Sequence, residues 1–269
     1  MSEGEAIEES DEPVTADRIE AGLRALGLAA GDAVLVHSSL SSLGWVCGGA
    51  PAVVDALLNV VTDDGTVVMP THTGYSDPAD WENPPVPDDW LDEIRATMPP
   101  YRPEVTPTRG MGAIPECFRS YPGVARSRHP HYSFAARGAD AERIVADHEY
   151  DFGLGESSPL ARLYDLGGSV LLLGAGHDSN TSLHLAEHRG RYETEVVTGG
   201  APVLVDGARE WVTLEAIDYD DSDFGAAGEA FERERPEAVA RGRVGRADSA
   251  VVNQRELVDF AGEWFGRTR

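Results

Sequence analysis

Apolar positions along this chain fall into short blocks whose period changes from block to block. Ile19, Leu23 and Leu26 recur at helical spacing, with Thr15 placed to cap the helix and Gly27 to stop it. Gly31-Asp32 then turns the chain into an unbroken apolar run, Ala33-Val34-Leu35-Val36, which has the length of a buried strand. Residues 52–61 read as a helix, with Pro51 at a first-helical position. Asp63-Asp64-Gly65 is a turn, and Thr66-Val67-Val68-Met69 is a second buried strand. Helix, strand, helix, strand is the alternation of a layered α/β domain. Further on, the pattern predicts helices over 113–119, 139–148 and 160–166, and strands over 133–136 and 169–173. A helix opens near Asn180-Thr181, strands follow over 201–205 and 210–216, and helices over 226–234 and 254–265.

The pattern breaks between residues 75 and 103, where seven prolines fall among Trp81, Trp90 and several acids. Connections of that length inside a compact chain are usually functional or disordered, and the aromatics argue against simple disorder. A short helix over 90–98 is expected to interrupt it. No segment repeats and none is of low complexity, so residues 14–269 are expected to form one domain.

Composition changes the picture in one respect. All 22 basic residues are arginine, against 47 Asp and Glu, for a formal net charge of −25 and a pI near 4.5. A negative field can steer a cationic ligand. Yet steering does not require the absence of lysine, and at about 1 M salt the Debye length is only about 3 Å. Removing lysine's flexible apolar stem and adding carboxylates suits a surface kept hydrated in concentrated salt. The composition therefore resembles that of an extreme halophile. It disfavours nucleic acid, which needs a basic face. No apolar run reaches the ~18 residues of a membrane-spanning helix. Residues 1–13 carry six acids, no base and no apolar stretch, unlike a signal peptide, so a solvated, disordered acidic tail and a cytoplasmic location are expected. Cys47 and Cys117 form no metal or redox spacing and are expected to be small buried hydrophobes.

Two strand ends carry the candidate chemistry. The first buried strand releases His37-Ser38-Ser39-Leu40-Ser41-Ser42-Leu43-Gly44 at its carboxyl end, the edge where open α/β sheets bind ligands. Hydroxyls, amides and glycines ahead of a helix suit a diphosphate, although neither a Walker loop nor GxGxxG is present, and such a stretch also serves simply to cap backbone. The strand over 169–173 delivers Gly174-Ala175-Gly176-His177-Asp178 into a helix bearing His184 and Glu187. Their i, i+3 spacing puts both on one face, where a carboxylate orients an imidazole for general-base work; the same spacing also fits a surface ion pair. Asp178 is a second acid nearby. His177, Asp178, His184 and His188 leave a metal reading open, but the order is not HExxH and spacing supplies no third ligand. His129, held extended before Pro130, could line a pocket or be a structural loop residue; Arg109, in a glycine-flanked turn, could meet an anion; the acidic run 218–223 reads equally as a cation site or solvated surface.

Taken together, five stretches resemble, in order, those of the aminoglycoside 3-N-acetyltransferase family, which is unrelated in fold to the common GNAT acetyltransferases. They are Leu35 to Gly44, Met69-Pro70-Thr71-His72-Thr73, Pro107 to Glu116, Arg126 to Pro130 with Ser133-Phe134-Ala135-Ala136, and Leu173 to Glu187. Each is weak alone; five in order are specific, and they cover nearly the whole chain. The resemblance implies an α/β fold, a three-layer α/β/α single domain with a central mixed sheet. It implies acetyl-CoA as cosubstrate, no metal, and a small-molecule amine acceptor, on a monomer or homodimer with neither nucleic-acid nor membrane partner. His184 is then the base, Glu187 its support and Asp178 an acid near the acceptor. CoA contacts are expected at His37, Ser38, Ser39, Leu40, Ser41, Gly44, Thr71, Thr108, Arg109, Met111, Gly112, Ser133 and Phe134. The 75–103 insertion and the stretch 218–232 would shape the acceptor pocket. Many members carry lysine in the serine loop, where this chain has Ser41. Two alternatives remain beside this reading: transfer to a different natural-product amine, and a non-catalytic CoA-binding protein of the same fold.

Overall fold

The computed structural model describes residues 3–8, 10, 12–81 and 84–269. In chain order the first half comprises α1 (Glu3–Glu8), α2 (Ala16–Ala25), β1 (Ala33–Ser38), α3 (Gly49–Val61), β2 (Thr66–Pro70), α4 (Leu91–Thr97), α5 (Ala113–Phe118), β3 (Ala125–Arg126) and β4 (Phe134–Gly138). The second half comprises α6 (Ala141–Val145), α7 (Pro159–Asp165), β5 (Ser169–Leu173), α8 (Ser182–Arg189), β6 (Val196–Val205), β7 (Ala208–Ile217), α9 (Phe224–Glu234), β8 (Val239–Val244), β9 (Ala247–Asn253) and α10 (Gln254–Thr268).

Seven strands form one mixed sheet in the order β3-β4-β2-β1-β5-β9-β8. β1 lies parallel to both β2 and β5, and the outer pairs are antiparallel. The continuous apolar runs of β1, β2 and β5 are buried on both faces, as parallel strands require. Their side chains alternate. Val34, Val36, Val67, Met69, Leu171 and Leu173 pack with Ile19, Leu57, Ile114 and Phe118 from α2, α3 and α5. Leu35, Val68, Val170 and Leu172 pack with Ile144, Leu163, Leu183, Phe231 and Phe265 from the helices on the other face. This is the expected α/β/α arrangement. β6 and β7 stand apart as a two-stranded hairpin.

Several local expectations differ from the structure. β8 and β9 were not foreseen: β8 is an arginine-interrupted edge strand with an exposed middle, and β9 is built largely from small residues, so neither shows an apolar run. The helix expected over 139–148 stops at Val145, and Asp147 takes a left-handed backbone (φ 43°). Within the acidic segment, Glu3–Glu8 form a helix, Ser10 Oγ accepts from Trp45 N at 3.1 Å, and Val14 bridges Val46. Cys47 is exposed rather than buried, because Val14–Val46 pairing uses its backbone N–H and turns its side chain outward.

The 75–103 insertion is tied down at several points. Asp77 receives Arg95 Nη2 at 2.7 Å, Arg209 Nε donates to Met98 O at 2.8 Å, and Tyr101 N donates to Pro202 O at 2.8 Å. At its end Arg126 donates to the carbonyls of Pro103 (3.0 Å), Thr106 (2.6 Å) and Thr71 (2.6 Å), and to the hydroxyls of Thr71 and Ser133. Burial pushes the Arg126 guanidinium below its usual range, so its neutral acceptors do most of the holding. Arg126→Met leaves the Pro103 and Thr106 carbonyls without a donor and Thr71 O with Ser133 Oγ alone, and is expected to lower unfolding stability by about 2 kcal/mol; an unchanged urea midpoint would contradict this.

Candidate active site

β1 and β5 are parallel, with Ser38 opposite Leu173, so the loops that follow them leave the same sheet edge side by side. Ser39 N donates to Leu173 O at 3.0 Å and ties one loop to the other strand. The serine loop is a single 3₁₀ turn, Leu40–Leu43, braced by Ser42 Oγ donating to Ser39 Oγ at 2.8 Å. Gly44 and Gly48 have φ near +90°, which brings the chain into α3 without a side chain in the way. Ser38, Ser39, Leu40, Ser41, Gly44 and Trp45 face the turn Gly110-Met111-Gly112 across a cavity of about 730 Å³. Among the described residues, no charged side chain lines it.

A second cavity, of about 520 Å³, shares Ser38, Ser39, Gly110 and Met111 with the first and continues beyond them. Its walls bring together His37, His72, Asp178, His184 and Asp221. His184 Nδ1 donates to Glu187 Oε2 at 2.6 Å, which fixes the ring and its tautomer. Its Nε2 has no hydrogen-bond partner among the described residues. The Glu187 side chain is 1% exposed, and its other oxygen accepts from Asp220 N at 3.0 Å and from Arg269 Nη1 at 2.6 Å. The imidazole is wedged edge-on between Tyr219 and Phe224, with centroids 4.8 and 4.9 Å away. Burial, followed by the nearby His177 and His184, pushes His37 down to about 3, so it is neutral, and its Nε2 accepts from Thr181 N at 3.3 Å. Asp178 lies so close to α9 that a Cβ on Gly225 would stand 2.5 Å from Oδ1.

The thirteen residues expected at CoA divide into groups. Ser38, Ser39, Leu40, Ser41, Gly44, Met111 and Gly112 line the first cavity, and His37 lines the second. Thr71 and Ser133 are buried in the Arg126 network, and Phe134 is in the core. Thr108 donates from N and Oγ1 to Glu116 Oε2, both at 2.8 Å, and so supports the turn from behind. The Arg109 side chain packs against Gly74 and lines a third cavity, of about 540 Å³, between the insertion and the β6–β7 hairpin, with Asp80, Trp81, Tyr132 and Asp218. These placements share one cause: a motif shows which stretch meets a strand end, not which side of it each side chain takes. The alternation beyond β2 turns Thr71 into the network and its neighbour His72, which the motif does not mark, to the cavity wall. His72 Nε2 and Ser38 Oγ are buried without a hydrogen-bond partner.

The cluster read as a possible metal set is dispersed. His177 Nε2 meets Glu232 at 3.0 Å, His188 Nε2 meets the Tyr219 hydroxyl at 2.9 Å, and His184 meets Glu187. Among the described residues, no three His, Cys, Asp or Glu side chains converge as a metal site. His129 does both things expected of it: Nδ1 accepts from the amides of His131 and Tyr132, Nε2 donates to Tyr150 O at 3.1 Å, and the residue lines the third cavity.

A mixed-sheet α/β/α domain with an orienting carboxylate, an imidazole and a long neutral cavity is of the kind found in acyl-transfer enzymes. Residues 35–266 match the aminoglycoside 3-N-acetyltransferase profile. The SPbeta prophage-derived aminoglycoside N(3')-acetyltransferase-like protein YokD of Bacillus subtilis (strain 168) is 49% identical over 261 residues, covering 96% of this chain and 95% of that protein. Aminoglycoside N(3)-acetyltransferase VII of Streptomyces paromomycinus is 40% identical, over 98% and 96% of the two chains. Among solved structures, YokD from Bacillus subtilis superposes with a TM-score of 0.96 at 48% identity, covering 98% of each chain. AAC-IIIb in binary complex with CoASH gives 0.85 at 31%, over 95% and 97%, and AAC-VIa bound to sisomicin gives 0.84 at 33%, over 95% and 98%. This chain belongs to the aminoglycoside 3-N-acetyltransferase family, a family of acyltransferases.

The buried histidines generate a pH test. Burial holds His37 at about 3 and both His131 and His148 at about 4, against about 6.5 in an unfolded chain. Between those values the unfolded chain binds protons that the native state does not, so stability falls as pH falls from about 6.5 towards 4. Glu116, held to about 2 chiefly by Arg119, loses its contribution only below this window. The urea midpoint should drop between pH 7 and pH 5, and His148→Gln should reduce the proton uptake on unfolding by about one. An unaltered slope in that variant would refute the assignment.

Proposed function

We propose that this chain transfers acetyl from acetyl-CoA to an amino group of an aminoglycoside or similar amino sugar, within a ternary complex and with His184 as general base. One observation carries the reading: His184, backed by the buried Glu187, lines the cavity that shares Ser38, Ser39, Gly110 and Met111 with the serine-loop cavity. CoA would run along the serine loop, its diphosphate meeting amide N–H groups at the start of α3. Arg246, whose Cδ lies 3.0 Å from where a Gly44 Cβ would stand, is the cation at that rim where Ser41 offers none. The CoASH complex of AAC-IIIb and the sisomicin complex of AAC-VIa support the two ligand classes.

The thioester carbon then lies at the wall that the two cavities share. The acceptor approaches from the acidic side, where Asp178 and Asp221 suit a polycation. A sugar ammonium must lose a proton to attack. That first proton leaves to solvent, and His184 Nε2 takes a second N–H proton as the nitrogen bonds to the thioester carbon, while Glu187 stabilises the imidazolium. The amine nitrogen bonds to the carbonyl carbon, and Ser38 Oγ, buried and unpartnered, is placed to donate to the oxyanion. The C–S bond breaks, and the proton held by His184 passes to the CoA thiolate. The 75–103 insertion and the β6–β7 hairpin, which enclose Asp80, Trp81 and Asp218, extend the acidic surface available to the acceptor. The net charge of −25 with no lysine supports work in the cytoplasm of a cell rich in salt.

Thiol release from acetyl-CoA with a panel of aminoglycosides and other amines, at low and multi-molar salt, tests the reaction. CoA binding without turnover on any amine would leave a binding protein instead. His184→Ala should lower kcat by about 10²- to 10⁴-fold while leaving CoA affinity intact; undiminished turnover would remove the base. Activity and melting temperature should hold or rise in multi-molar salt, where the repulsion of surface carboxylates is screened. Loss of both on adding salt would refute the halophilic reading.

A further inference from the structure

Arg269 reaches the base from behind the carboxylate. Its Nη1 donates to Glu187 Oε1 at 2.6 Å, and Glu187 Oε2 accepts from His184 Nδ1 at 2.6 Å. Guanidinium, carboxylate and imidazole thus form one row, with the middle member out of solvent. The guanidinium is itself tightly held. It pairs with the Asp223 carboxylate, donates to the Tyr192 hydroxyl at 2.9 Å and to Asp220 O at 2.5 Å, and lies 4.0 Å over the Phe265 ring. Asp220 N returns a hydrogen bond to Glu187 at 3.0 Å. One cation therefore ties together the base's carboxylate and the turn that presents Asp221 to the cavity.

We propose that Arg269 is a positioning residue for the reaction: it holds Glu187 in line with His184 and offsets the carboxylate charge beside the ring. The proposal rests on the reading of His184 as the base. The charge balance around that ring is what gives Arg269 its leverage. Glu187 and His188 share its helix; Tyr219 and Asp221 face it from the turn before α9, where Asp220 meets Glu187 and Asp223 meets Arg269; His37, His72 and Asp178 share its cavity from the strand ends; Tyr192 lies beyond Glu187. Of the acids in this set, Arg269 pairs directly with the Glu187 and Asp223 carboxylates. Without it, two carboxylates beside the ring are left uncompensated in a poorly screened interior. A base that is already protonated does no work.

The test uses the full chain with Arg269→Met, Arg269→Lys and Asp223→Asn. For each, kcat/KM is measured against pH, and the His184 ring is titrated by NMR in histidine-labelled protein, its signal assigned by its loss in His184→Gln. Arg269→Met should move both the acid limb and the ring titration to higher pH by about one unit, so that activity well below the limb falls about tenfold while the plateau kcat changes only a few-fold. Arg269→Lys should restore most of the limb. Asp223→Asn, which removes an acid and frees Arg269 for Glu187, should move the limb the opposite way, and it tests the charge argument even where Arg269→Met fails to fold. A merely structural role predicts lower stability and an unmoved limb. A ring titration that stays put in both Arg269→Met and Asp223→Asn overturns the proposal. A ring titration that moves without the kinetic limb following it overturns His184 as the base and leaves the coupling of Arg269 to the ring standing.

Discussion

The site depends on the parallel pairing of β1 with β5. Because Ser38 sits opposite Leu173, two loops far apart in sequence leave the sheet at one edge, tied by Ser39 N to Leu173 O at 3.0 Å. One loop supplies hydroxyls and a glycine-bounded cavity; the other supplies Asp178 and the start of the helix that carries His184. A one-residue slip in this register would exchange the two faces of β1, setting Leu35 against α2 and α3 and turning Val34 and Val36 to the far layer. The apolar cores on the two faces therefore hold the chemistry in place as well as the fold. Their cohesion is why a cavity flanked by glycines can remain open between two strand ends.

Within that frame the recurring problem is the buried acid. A chain with 47 carboxylates and only arginine as a permanent cation can leave most acids in solvent, where each needs nothing. Those it draws inward each receive a partner. Glu187 has Arg269 and an amide, Glu116 has Arg119 and Thr108, Glu232 has His177 and Arg241, and Asp77 has Arg95. The arginine fork can serve an acid and a carbonyl at once, as Arg269 does with Asp223 and the Asp220 carbonyl, and a lysine could not match that geometry. Loss of lysine thus concentrates the interior ion pairs on residues able to organise a turn as well as neutralise a charge.

How much of this could be read beforehand follows from how local each signal is. β1, β2 and β5 are unbroken apolar runs, and Thr15 caps α2 as its position implies, its hydroxyl accepting from Arg18 N. The i, i+3 relation of His184 and Glu187 is fixed by helix geometry, and the two side chains meet. β8 and β9 were invisible because an edge strand with exposed arginines and a strand of small residues carry no period that survives without their neighbours. Thr71 against His72, and the side on which Arg109 falls, depend on the parity of backbone outside regular strands. Arg269 lies 82 positions from Glu187 in sequence, at the end of a helix, where nothing nearby marks it out.

The two joined cavities differ in charge, and the difference bears on recognition in salt. The serine-loop cavity is lined by hydroxyls, glycines and apolar groups, whereas its continuation meets Asp178 and Asp221 and is bordered by more acids on the insertion and hairpin. A charge difference of this kind sorts anionic from cationic ligands. At high ionic strength such sorting cannot act over long distances, since screening confines it to contacts of a few ångströms. On the wall of the continuation, Asp221 sits in a turn whose Asp220 carbonyl accepts from Arg269, and Asp178 lies close to Gly225 of α9; both carboxylates are exposed. The same arginine therefore holds both the Glu187 carboxylate and the turn that carries Asp221, so two acids of the site owe their placement to a single cation.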